Sequence, residues 1–360
     1  MKVLHLDSGM AFRGGQQQVL YLASGLARAG VEQQLVLRSG SVLEQRAAAA
    51  KLPFTSLPFK FEGDLVSAWR LRVIIGRFQA DVIHAHDART LGIAALAWAT
   101  GTRSQVIAAR RVAFPLRRNP LTAVKYRSVA RRIIAVSRFV RQLLISSGID
   151  EGRVDVVYDG FSLNGIASRS NARVRLGVPA EACLIGSAGQ FVSEKGHESL
   201  IRAFVRIRRA IPPAILVLIG SGTLKEHYLK LIQSLDLEGK VLFPGFIEDL
   251  GSVLPALDLF VFPSLHEGLG SSVLAAMACE VPICASRAGG IPEMIQDGVT
   301  GYLFKPGDIS EIAQRALAVL QSPQRCRDLA SAGAKAVEER FSVSRMVKET
   351  CEVYANVLGS

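Results

Sequence analysis

Residues 262–304 read FPSLHEGLGSSVLAAMACEVPICASRAGGIPEMIQDGVTGYLF. The pattern predicts an apolar strand (Leu259 to Phe262), a glycine-bearing turn (Glu267 to Gly270) and a helix of small residues that begins near Ser271. Such a turn leaves unpaired backbone N–H groups at the positive end of a helix, which suits a phosphate or pyrophosphate. The carboxylate of Glu267 would repel a phosphate, so it is better placed to accept hydrogen bonds from hydroxyl groups, as on a sugar.

This segment resembles the donor-site signature of retaining glycosyltransferases of the GT-B fold, family 4. The family has an acidic residue, seven others and a second Glu, followed by PVxAS, GGxPE and GxxGxL; here PICAS, GGIPE and GVTGYL follow Glu267. The resemblance extends over nearly the whole chain. One position departs, because Ala275 stands where the family has its second Glu, a residue associated with the nucleotide ribose.

The bulk composition predicts two ordinary domains. The chain has 360 residues, 49% of them hydrophobic, so each half can bury a core. No run approaches the roughly 18 continuous apolar residues of a membrane span. The start, MKVLHLD, is typical of a first strand rather than of a signal peptide. Five cysteines without a CxxC pair indicate reduced core residues of a cytosolic protein.

Positive charge is concentrated in one region. The formal net charge is +12, and residues 101–141 contain eleven Lys and Arg but no Asp or Glu. Cations at that density repel one another unless an anionic partner is near.

Short apolar strands alternate with amphipathic helical patterns, which predicts parallel α/β sheets. The resemblance implies a GT-B fold in which two Rossmann-like domains face each other across a cleft, with ligands beyond the carboxyl ends of the strands. We predict an N-terminal acceptor-binding domain (1–165), a nucleotide-sugar-binding domain (170–340) and a C-terminal helix (341–360) that crosses back to the first domain. Residues 161–172, rich in Ser, Asn and Gly, are interpreted as the linker.

Further donor contacts follow from the resemblance. GQFVSEKG (189–196) is similar to the family's GRLxxxKG, whose Arg and Lys neutralise the donor diphosphate; Lys195 fits, whereas Gln190 replaces the Arg. Gly14 and Gly15 resemble a loop that approaches the donor phosphates, and FPGFI (243–247) resembles the segment over the nucleobase. The predicted donor-binding residues are Gly14, Gly15, Gln190, Lys195, Ile247, Glu267, Gly268, Leu269, Gly270 and Ser271. Ordinary turns and a surface lysine remain the alternatives.

The DVIHAHD segment (81–87) resembles the family's DVVHxH. His86 joins Glu267 and Lys195 as a candidate catalytic residue, with a structural histidine as the alternative. His84 and His86 point to the same side of a strand, but two histidines without a third ligand are a poor metal site. We therefore expect no metal, and no cofactor besides the nucleotide-diphosphate sugar as co-substrate.

The basic segment RRVAFPLRR (110–118) mixes cations with apolar residues. That mixture suits anionic head groups above acyl chains, or a phosphorylated saccharide held bidentately by Arg110 or Arg111. A solvated basic loop is the alternative. We predict an acceptor-binding role for Arg110 and Arg111 and a membrane surface as a partner.

The leading hypothesis is a retaining, hexosyltransferase-like enzyme of EC class 2.4. It would move a sugar from a nucleotide-diphosphate donor to a cell-envelope glycolipid or lipopolysaccharide core, on the cytoplasmic face of the membrane. Gln190 and Ala275 motivate a second hypothesis, a nucleotide-sugar-binding pseudoenzyme that docks on membranes or partners. A nucleic-acid partner is disfavoured, because the basic segment lacks interleaved stacking aromatics. A dehydrogenase is disfavoured, because no GxGxxG follows the first strand.

Overall fold

The computed structural model describes residues 1–116, 119–162 and 165–359. It divides into two compact units, Met1–Gly160 with Val343–Ser360, and Phe161–Ser342. We refer to them as unit 1 and unit 2. Arg117 and Arg118, which the sequence places in the basic segment, lie outside the described residues.

Unit 1 contains a seven-stranded parallel sheet with strand order β3-β2-β1-β4-β5-β6-β7. Its strands are β1 (Lys2–Asp7), β2 (Glu32–Arg38), β3 (Phe54–Leu57), β4 (Val82–Ala85), β5 (Gln105–Arg110), β6 (Ala130–Ala135) and β7 (Val154–Val156). The helices between them are α1 (Gly14–Arg28), α2 (Val42–Ala49), α3 (Leu65–Phe78), α4 (Ala88–Trp98), α5 (Pro120–Val124) and α6 (Arg138–Ser146), with a π-helical turn at Lys125–Val129 and a 3₁₀ turn at Glu151–Arg153.

Unit 2 contains a six-stranded parallel sheet with strand order β10-β9-β8-β11-β12-β13. Its strands are β8 (Cys183–Ala188), β9 (Ala214–Ile219), β10 (Val241–Gly245), β11 (Leu259–Phe262), β12 (Ile283–Ser286) and β13 (Tyr302–Phe304). Its helices are α7 (Arg169–Leu176), α8 (His197–Ala210), α9 (Lys225–Ser234), α10 (Ser271–Ala278), α11 (Ile291–Met294), α12 (Ile309–Leu320) and α13 (Pro323–Arg340), with 3₁₀ turns at Ser193–Lys195, Leu250–Ser252 and Leu254–Ala256.

The last helix, α14 (Val343–Leu358), belongs to unit 1. Its Met346, Val347 and Tyr354 join a buried cluster with residues of α1 and of several strands. Gly25 of α1 permits this packing, because a Cβ there would lie 2.3 Å from a methyl carbon of Val347.

The central strands are mostly apolar because helices cover both faces of a parallel sheet. Every residue of β4, β11 and β12 is buried. In each sheet the strand order reverses at its centre, between β1 and β4 in unit 1 and between β8 and β11 in unit 2. The loops that leave neighbouring strands at such a point diverge and open a crevice beyond the carboxyl ends, where ligands bind in this class of sheet.

Two local predictions were wrong. The segment 161–172 is not linker throughout, because α7 begins at Arg169 and the Ser168 side chain caps it by accepting from the Asn171 N–H at 3.3 Å. The sequence pattern also predicted a helix from Lys195 to Arg209, but Lys195 does not begin that helix. It ends a 3₁₀ turn, and α8 begins at His197 because Gly196 adopts a left-handed conformation with φ of +65°.

No helix among the described residues is both long enough and apolar enough to cross a bilayer.

Candidate active site

In unit 2, the loops that follow β8 and β11 meet at the point where the strand order reverses. The Leu265 N–H donates to the Glu194 carbonyl at 2.7 Å, and the Ser264 hydroxyl donates to the same carbonyl at 3.1 Å. These bonds join two segments about seventy residues apart in sequence, and so bring the two predicted donor motifs together.

Lys195 and Glu267 form an ion pair at this junction. Lys195 Nζ lies 2.5 Å from Glu267 Oε2, and Ser264 Oγ lies 3.3 Å from the same oxygen. The Lys195 ammonium also lies 5.4 Å from the centre of the Phe262 ring. The two charged side chains are 24% and 15% exposed, so the pair is half-buried yet open to a solute. A cation and a hydrogen-bond acceptor therefore stand side by side at the edge of the sheet.

Glycines allow the backbone to approach closely around this pair. A Cβ on Gly196 would lie 2.2 Å from the Pro263 carbonyl oxygen, and a Cβ on Gly289 would lie 1.8 Å from the Glu267 carbonyl oxygen. The Gly290 N–H donates to that Glu267 oxygen at 3.1 Å. The GGIPE segment thus supports the backbone of Glu267, which gives a steric reason for Gly289.

Two helices begin at the same edge. α8 starts directly after the loop that carries Lys195, and α10 starts at Ser271, directly after the predicted donor residues Gly268, Leu269 and Gly270. Gly270 precedes α10 with φ of +115° and provides no side-chain cap. The first N–H groups of a helix have no partner within it, so each start favours an anion.

Gln190 and Ile247 lie at the same end of the unit 2 sheet. Gln190 is exposed in the loop after β8, and Ile247 is half-buried just beyond β10. The Gly220 N–H donates to the Gly245 carbonyl at 2.8 Å, which fixes the end of β10 beside the end of β9. Ala275 is 1% exposed within α10. A glutamate at that position would need to reach solvent or a ligand to avoid burying its charge.

In unit 1, Gly14 and Gly15 are the first two residues of α1. No described heavy atom lies within 4 Å of a Cβ placed on Gly15, so packing does not require a glycine there. The preceding loop is tight: Asp7 accepts from the Gly9 N–H at 2.8 Å and from Gln16 Nε2 at 3.1 Å. The open space in front of Gly15 is compatible with a close-lying ligand.

Three buried histidines meet behind that loop. His5 of β1 lies opposite His84 of β4 in register, and His86 follows β4. His5 Nδ1 lies 3.0 Å from His86 Nε2, and His84 Nδ1 lies 2.6 Å from the Tyr354 hydroxyl. The sequence pattern offered only two histidines as metal ligands. The structure supplies a third, and one nitrogen from each ring lies within 4.8 Å of the others.

Three imidazoles are a donor set that zinc can use, but the hydrogen bonds do not favour one here. Arg111 Nη1 lies 3.3 Å from His86 Nδ1 and can only donate. His86 Nδ1 therefore accepts, so His86 Nε2 carries the proton and donates it to His5 Nδ1. No lone pair on His86 then faces the other rings, and the guanidinium charge beside them opposes a dication. Both nitrogens of His86 are engaged, so this ring must give up a partner before it can contact a substrate.

Arg111 is itself held in place. Its Nε donates to Asp159 Oδ1 at 3.0 Å, and the two side chains are 17% and 14% exposed. Arg110 instead donates from Nη2 to the Phe114 carbonyl at 2.6 Å. Of the two predicted acceptor-binding arginines, Arg111 is thus tied into the histidine cluster, whereas Arg110 shapes the backbone of the basic segment.

Burial controls the charges of this cluster. Burial lowers the pKa of His5 to about 3 and lowers the pKa values of His84 and His86 well below their usual range, with Arg111 acting in the same direction. Burial, followed by repulsion from Asp87, raises the pKa of Asp7 to about 6. At neutral pH the three imidazoles are therefore uncharged, so His86 acts as a polar partner rather than as a cation.

Sequence reasoning missed His5, Asp7 and Asp159. His5 and Asp7 stand two residues apart in an otherwise apolar strand, the same spacing as His84 and His86. Side chains two residues apart in a strand lie on the same face of the sheet. Polar residues at this spacing in two strands were therefore a signal that could have predicted the cluster. Asp159 follows β7, and nothing in the sequence links it to Arg111.

Two family models match consecutive parts of the chain. The model for Glycosyltransferase Family 4 matches residues 12–164, and the model for Glycosyl transferases group 1 matches residues 168–336. The chain belongs to the group 1 glycosyltransferases. The resemblance stated from the sequence and the fold class, two Rossmann-like domains of the GT-B fold, are confirmed.

Curated relatives of this group 1 glycosyltransferase include the N-acetyl-alpha-D-glucosaminyl L-malate synthase of Bacillus anthracis, 34% identical over 47% of this chain and 44% of that protein. Another is the lipopolysaccharide core biosynthesis glycosyltransferase LpsE of Rhizobium meliloti, 32% identical over 47% of this chain and 49% of that protein. The matched part of the chain thus spans about half the length of these relatives.

Among solved structures, that of HepE from Anabaena in complex with UDP-glucose is similar, with a TM-score of 0.87 and 23% identity over 99% of this chain and 100% of that one. At this identity the likeness shows the GT-B fold alone.

Proposed function

We propose that this protein transfers a sugar, with retention at the anomeric carbon, from a nucleotide-diphosphate sugar to a cell-envelope glycolipid or lipopolysaccharide core acceptor. The observation that carries the proposal is the Lys195–Glu267 pair at the edge of unit 2, where two helices begin. Membership of the group 1 glycosyltransferases and the likeness to LpsE support it.

Different residues of unit 2 contact the two parts of the donor, its diphosphate and its sugar. When the bond from the anomeric carbon to the nucleotide diphosphate breaks, negative charge collects on the leaving phosphate oxygen. Lys195 and the N–H groups at the starts of α8 and α10 stabilise that charge, because they are already oriented when the donor binds. Glu267 accepts hydrogen bonds from sugar hydroxyls, and the backbone N–H groups of residues 268–271 complete the contact.

Donor binding must rearrange the ion pair. In the structure Lys195 donates to Glu267, whereas the bound diphosphate would attract the ammonium and the sugar would occupy the carboxylate. The acceptor hydroxyl oxygen then bonds to the anomeric carbon on the face the diphosphate leaves, and its proton passes to the departing phosphate oxygen. No covalent enzyme intermediate is involved. We also propose that no metal takes part, since Lys195 and the helix starts supply the positive charge.

Unit 1 is proposed to hold the acceptor. Arg110 and the basic segment provide the charge for a phosphorylated saccharide or anionic glycolipid, and His86 provides an uncharged polar group at the end of β4. The protein would act as a peripheral protein on the inner face of the cell membrane. The comparisons give no support to the alternative of a sugar-nucleotide-binding protein without turnover.

Calorimetry against UDP, GDP, ADP and their common sugars tests the donor site. UDP is the first candidate, because HepE was solved with UDP-glucose. We expect one nucleotide to bind, and Glu267→Ala to weaken binding of its sugar more than binding of the bare nucleotide. Absence of binding by every nucleotide at millimolar concentration would overturn the proposal.

Incubating the selected donor with extracted envelope glycolipid tests the transfer. The configuration of the new bond, read from the anomeric proton coupling by nuclear magnetic resonance, decides between retention and inversion. A product with inverted configuration would contradict the mechanism while leaving the donor assignment intact.

A further inference from the structure

The outward face of α3 is apolar. The helix buries Ser67, Ala68, Leu71 and Ile75 on one side. On the other side Leu65, Val66 and Trp69 are 70%, 57% and 68% exposed. Phe61, in the loop just before the helix, is 60% exposed. Four large apolar side chains within nine residues form a contiguous exposed patch, and such patches mark interaction sites.

Arginines border this patch on both sides. Arg70 and Arg77 are exposed and Arg72 is half-buried, while α3 contains no acidic residue. At 100° per residue, Arg70 and Arg77 follow the apolar stripe on one side and Arg72 precedes it on the other. An apolar stripe with a tryptophan and flanking cations is the pattern of helices that lie in a membrane interface.

The patch is presented by an ordered turn. Buried Asp64 accepts from the Ser67 N–H at 3.1 Å, from the Ser67 hydroxyl at 2.7 Å and from the Lys60 N–H at 3.1 Å. Arg89 of α4 donates to the Phe59 carbonyl at 3.3 Å. Phe61 therefore projects from a fixed loop, and its exposure does not result from a loose chain.

The patch joins the basic region of unit 1. Glu62, beside Phe61, forms an ion pair with Lys125, and Val124 next to Lys125 is 52% exposed. This pair neutralises the acidic side chain at the patch and connects the loop before α3 to the segment 101–141, which has eleven cations and no acidic residue. The ion pair thus places the apolar patch next to the start of the basic region.

We propose that Phe61, Leu65, Val66 and Trp69 insert into the interface of a bilayer that contains anionic lipid, while the surrounding arginines contact its head groups. The inference rests on the proposed envelope acceptor and adds the surface by which the protein reaches it. The charges favour a bilayer over a second copy of this chain. A two-fold contact through the same face would bring two rims of arginines together.

The two tryptophans of the chain allow a direct test. Trp98→Phe leaves Trp69 as the only tryptophan, and Trp69→Phe leaves Trp98, which is 40% exposed at the end of α4. Each protein is mixed with vesicles of phosphatidylcholine alone, or with added phosphatidylglycerol, made with or without brominated acyl chains. We expect Trp69 emission to shift to the blue and to be quenched by the brominated anionic vesicles, while Trp98 emission stays unchanged.

A second variant tests the energetics. Leu65→Ser with Trp69→Ser should lower partitioning into anionic vesicles roughly tenfold or more, since two apolar contacts are lost. Its thermal midpoint should be unchanged, because both side chains are exposed. Val174→Ser, another exposed apolar residue, on α7 of unit 2, is the matched control and should partition as the parent does.

Three results would overturn the inference. The first is vesicle binding with unchanged Trp69 emission, and the second is equal quenching of both tryptophans. The third is a blue shift that depends on protein concentration without lipid, which would indicate that a second copy of the chain covers the patch. Nucleotide calorimetry on the same variants separates the two proposals. Lost vesicle contact with intact nucleotide binding rejects only the docking surface. Lost nucleotide binding with intact vesicle contact rejects only the donor site.

Discussion

The two sheets reverse their strand order in the same way, yet different kinds of residue lie where the order reverses. Unit 2 places an accessible ion pair, Lys195–Glu267, among glycine turns and helix starts. Unit 1 places three uncharged histidines, the half-buried Arg111–Asp159 pair and the buried carboxylate of Asp7 at the equivalent point. One edge offers backbone N–H groups and charge to a solute. The polar groups of the other edge mostly hydrogen-bond to one another, with His5 Nε2 and His84 Nε2 left without a partner among the described residues.

The difference shows how one architecture yields two kinds of surface. Backbone N–H groups and exposed charges can change partners at little cost, so the edge of unit 2 is suited to binding and releasing an anion. Buried polar groups lose much free energy when a partner is removed, so the network of unit 1 is suited to holding a fixed shape. Substitutions at the two edges should therefore affect different measurements.

The largest expected effect is on activity at the edge of unit 2. Glu267→Ala removes the acceptor for the sugar hydroxyls, and transfer should fall about 100- to 1000-fold, as for loss of one oriented hydrogen-bonding group. The circular dichroism spectrum should be unchanged. Glu226→Ala, an exposed carboxylate in α9 of the same unit, is the control and should retain full activity. Full activity of Glu267→Ala would remove this residue from the site.

The edge of unit 1 should respond in stability. Arg111→Met leaves the half-buried Asp159 without its cation, and unfolding by urea should show a loss of about 2 kcal/mol. Lys335→Met breaks an exposed pair with Glu339 on α13 and should change stability by less than about 0.5 kcal/mol. If both variants lose the same free energy, the contrast between a rigid and an exchangeable edge fails.

The contributions of Asp7 in unit 1 and His197 in unit 2 to the pH dependence of stability should differ in sign. The pKa of Asp7 in unit 1 is raised to about 6, so the folded state binds a proton more tightly than the unfolded state between pH 4 and 6. The contribution of Asp7 to stability therefore falls as pH rises through that window, and Asp7→Asn should be about 3 kcal/mol more stable than the parent at pH 7. The gap should narrow as pH falls and close below about pH 3, where Asp7 is protonated in both states.

In unit 2, burial lowers the pKa of His197 to about 3. Here the unfolded state binds the extra proton, so stability falls as pH drops from about 6.5 toward 3, by about 1.4 kcal/mol per pH unit at most. His197→Gln should flatten that slope in urea titrations. Parallel pH profiles for this variant and the parent would show that His197 is not buried as described.

The smallest expected effect is the coupling within the ion pair. In a double-mutant cycle on stability, Lys195→Met and Glu267→Gln should show a coupling of about 1 kcal/mol, because the pair is only half-buried. Saturating nucleotide should reduce this coupling, since the diphosphate takes over the ammonium. A coupling that grows on nucleotide addition would mean that the pair stays intact in the complex.

Much of the fold could be predicted from the sequence because parallel strands are continuous apolar runs separated by glycine turns. The strand Leu259–Phe262 and the start of α10 at Ser271 agree with the prediction. The strands β3 and β13 were not predicted; β3 reads FTSL, and its two polar residues interrupt the apolar run that marked the other strands. The predicted start of α8 was two residues early. The sequence alone does not fix the left-handed conformation of Gly196, which separates the 3₁₀ turn from the helix.

The candidate sites differ in the same respect. The edge of unit 2 could be predicted because its residues lie in two continuous motifs. The network of unit 1 could not, since His5, His84, Arg111 and Asp159 come from four distant segments that only the strand order brings together. A motif records residues that are close in the chain, whereas a buried network depends on packing between elements.

The membership of α14 in unit 1 has a consequence for synthesis. Unit 2 is a continuous stretch of chain, so it can complete its core before the last residues leave the ribosome. Unit 1 cannot, because Tyr354, the hydrogen-bond partner of His84, is translated 270 residues later. Until then the faces of α1 and of the strands that α14 covers stay exposed to solvent. The nascent first unit is therefore the part of the molecule that most needs protection from aggregation.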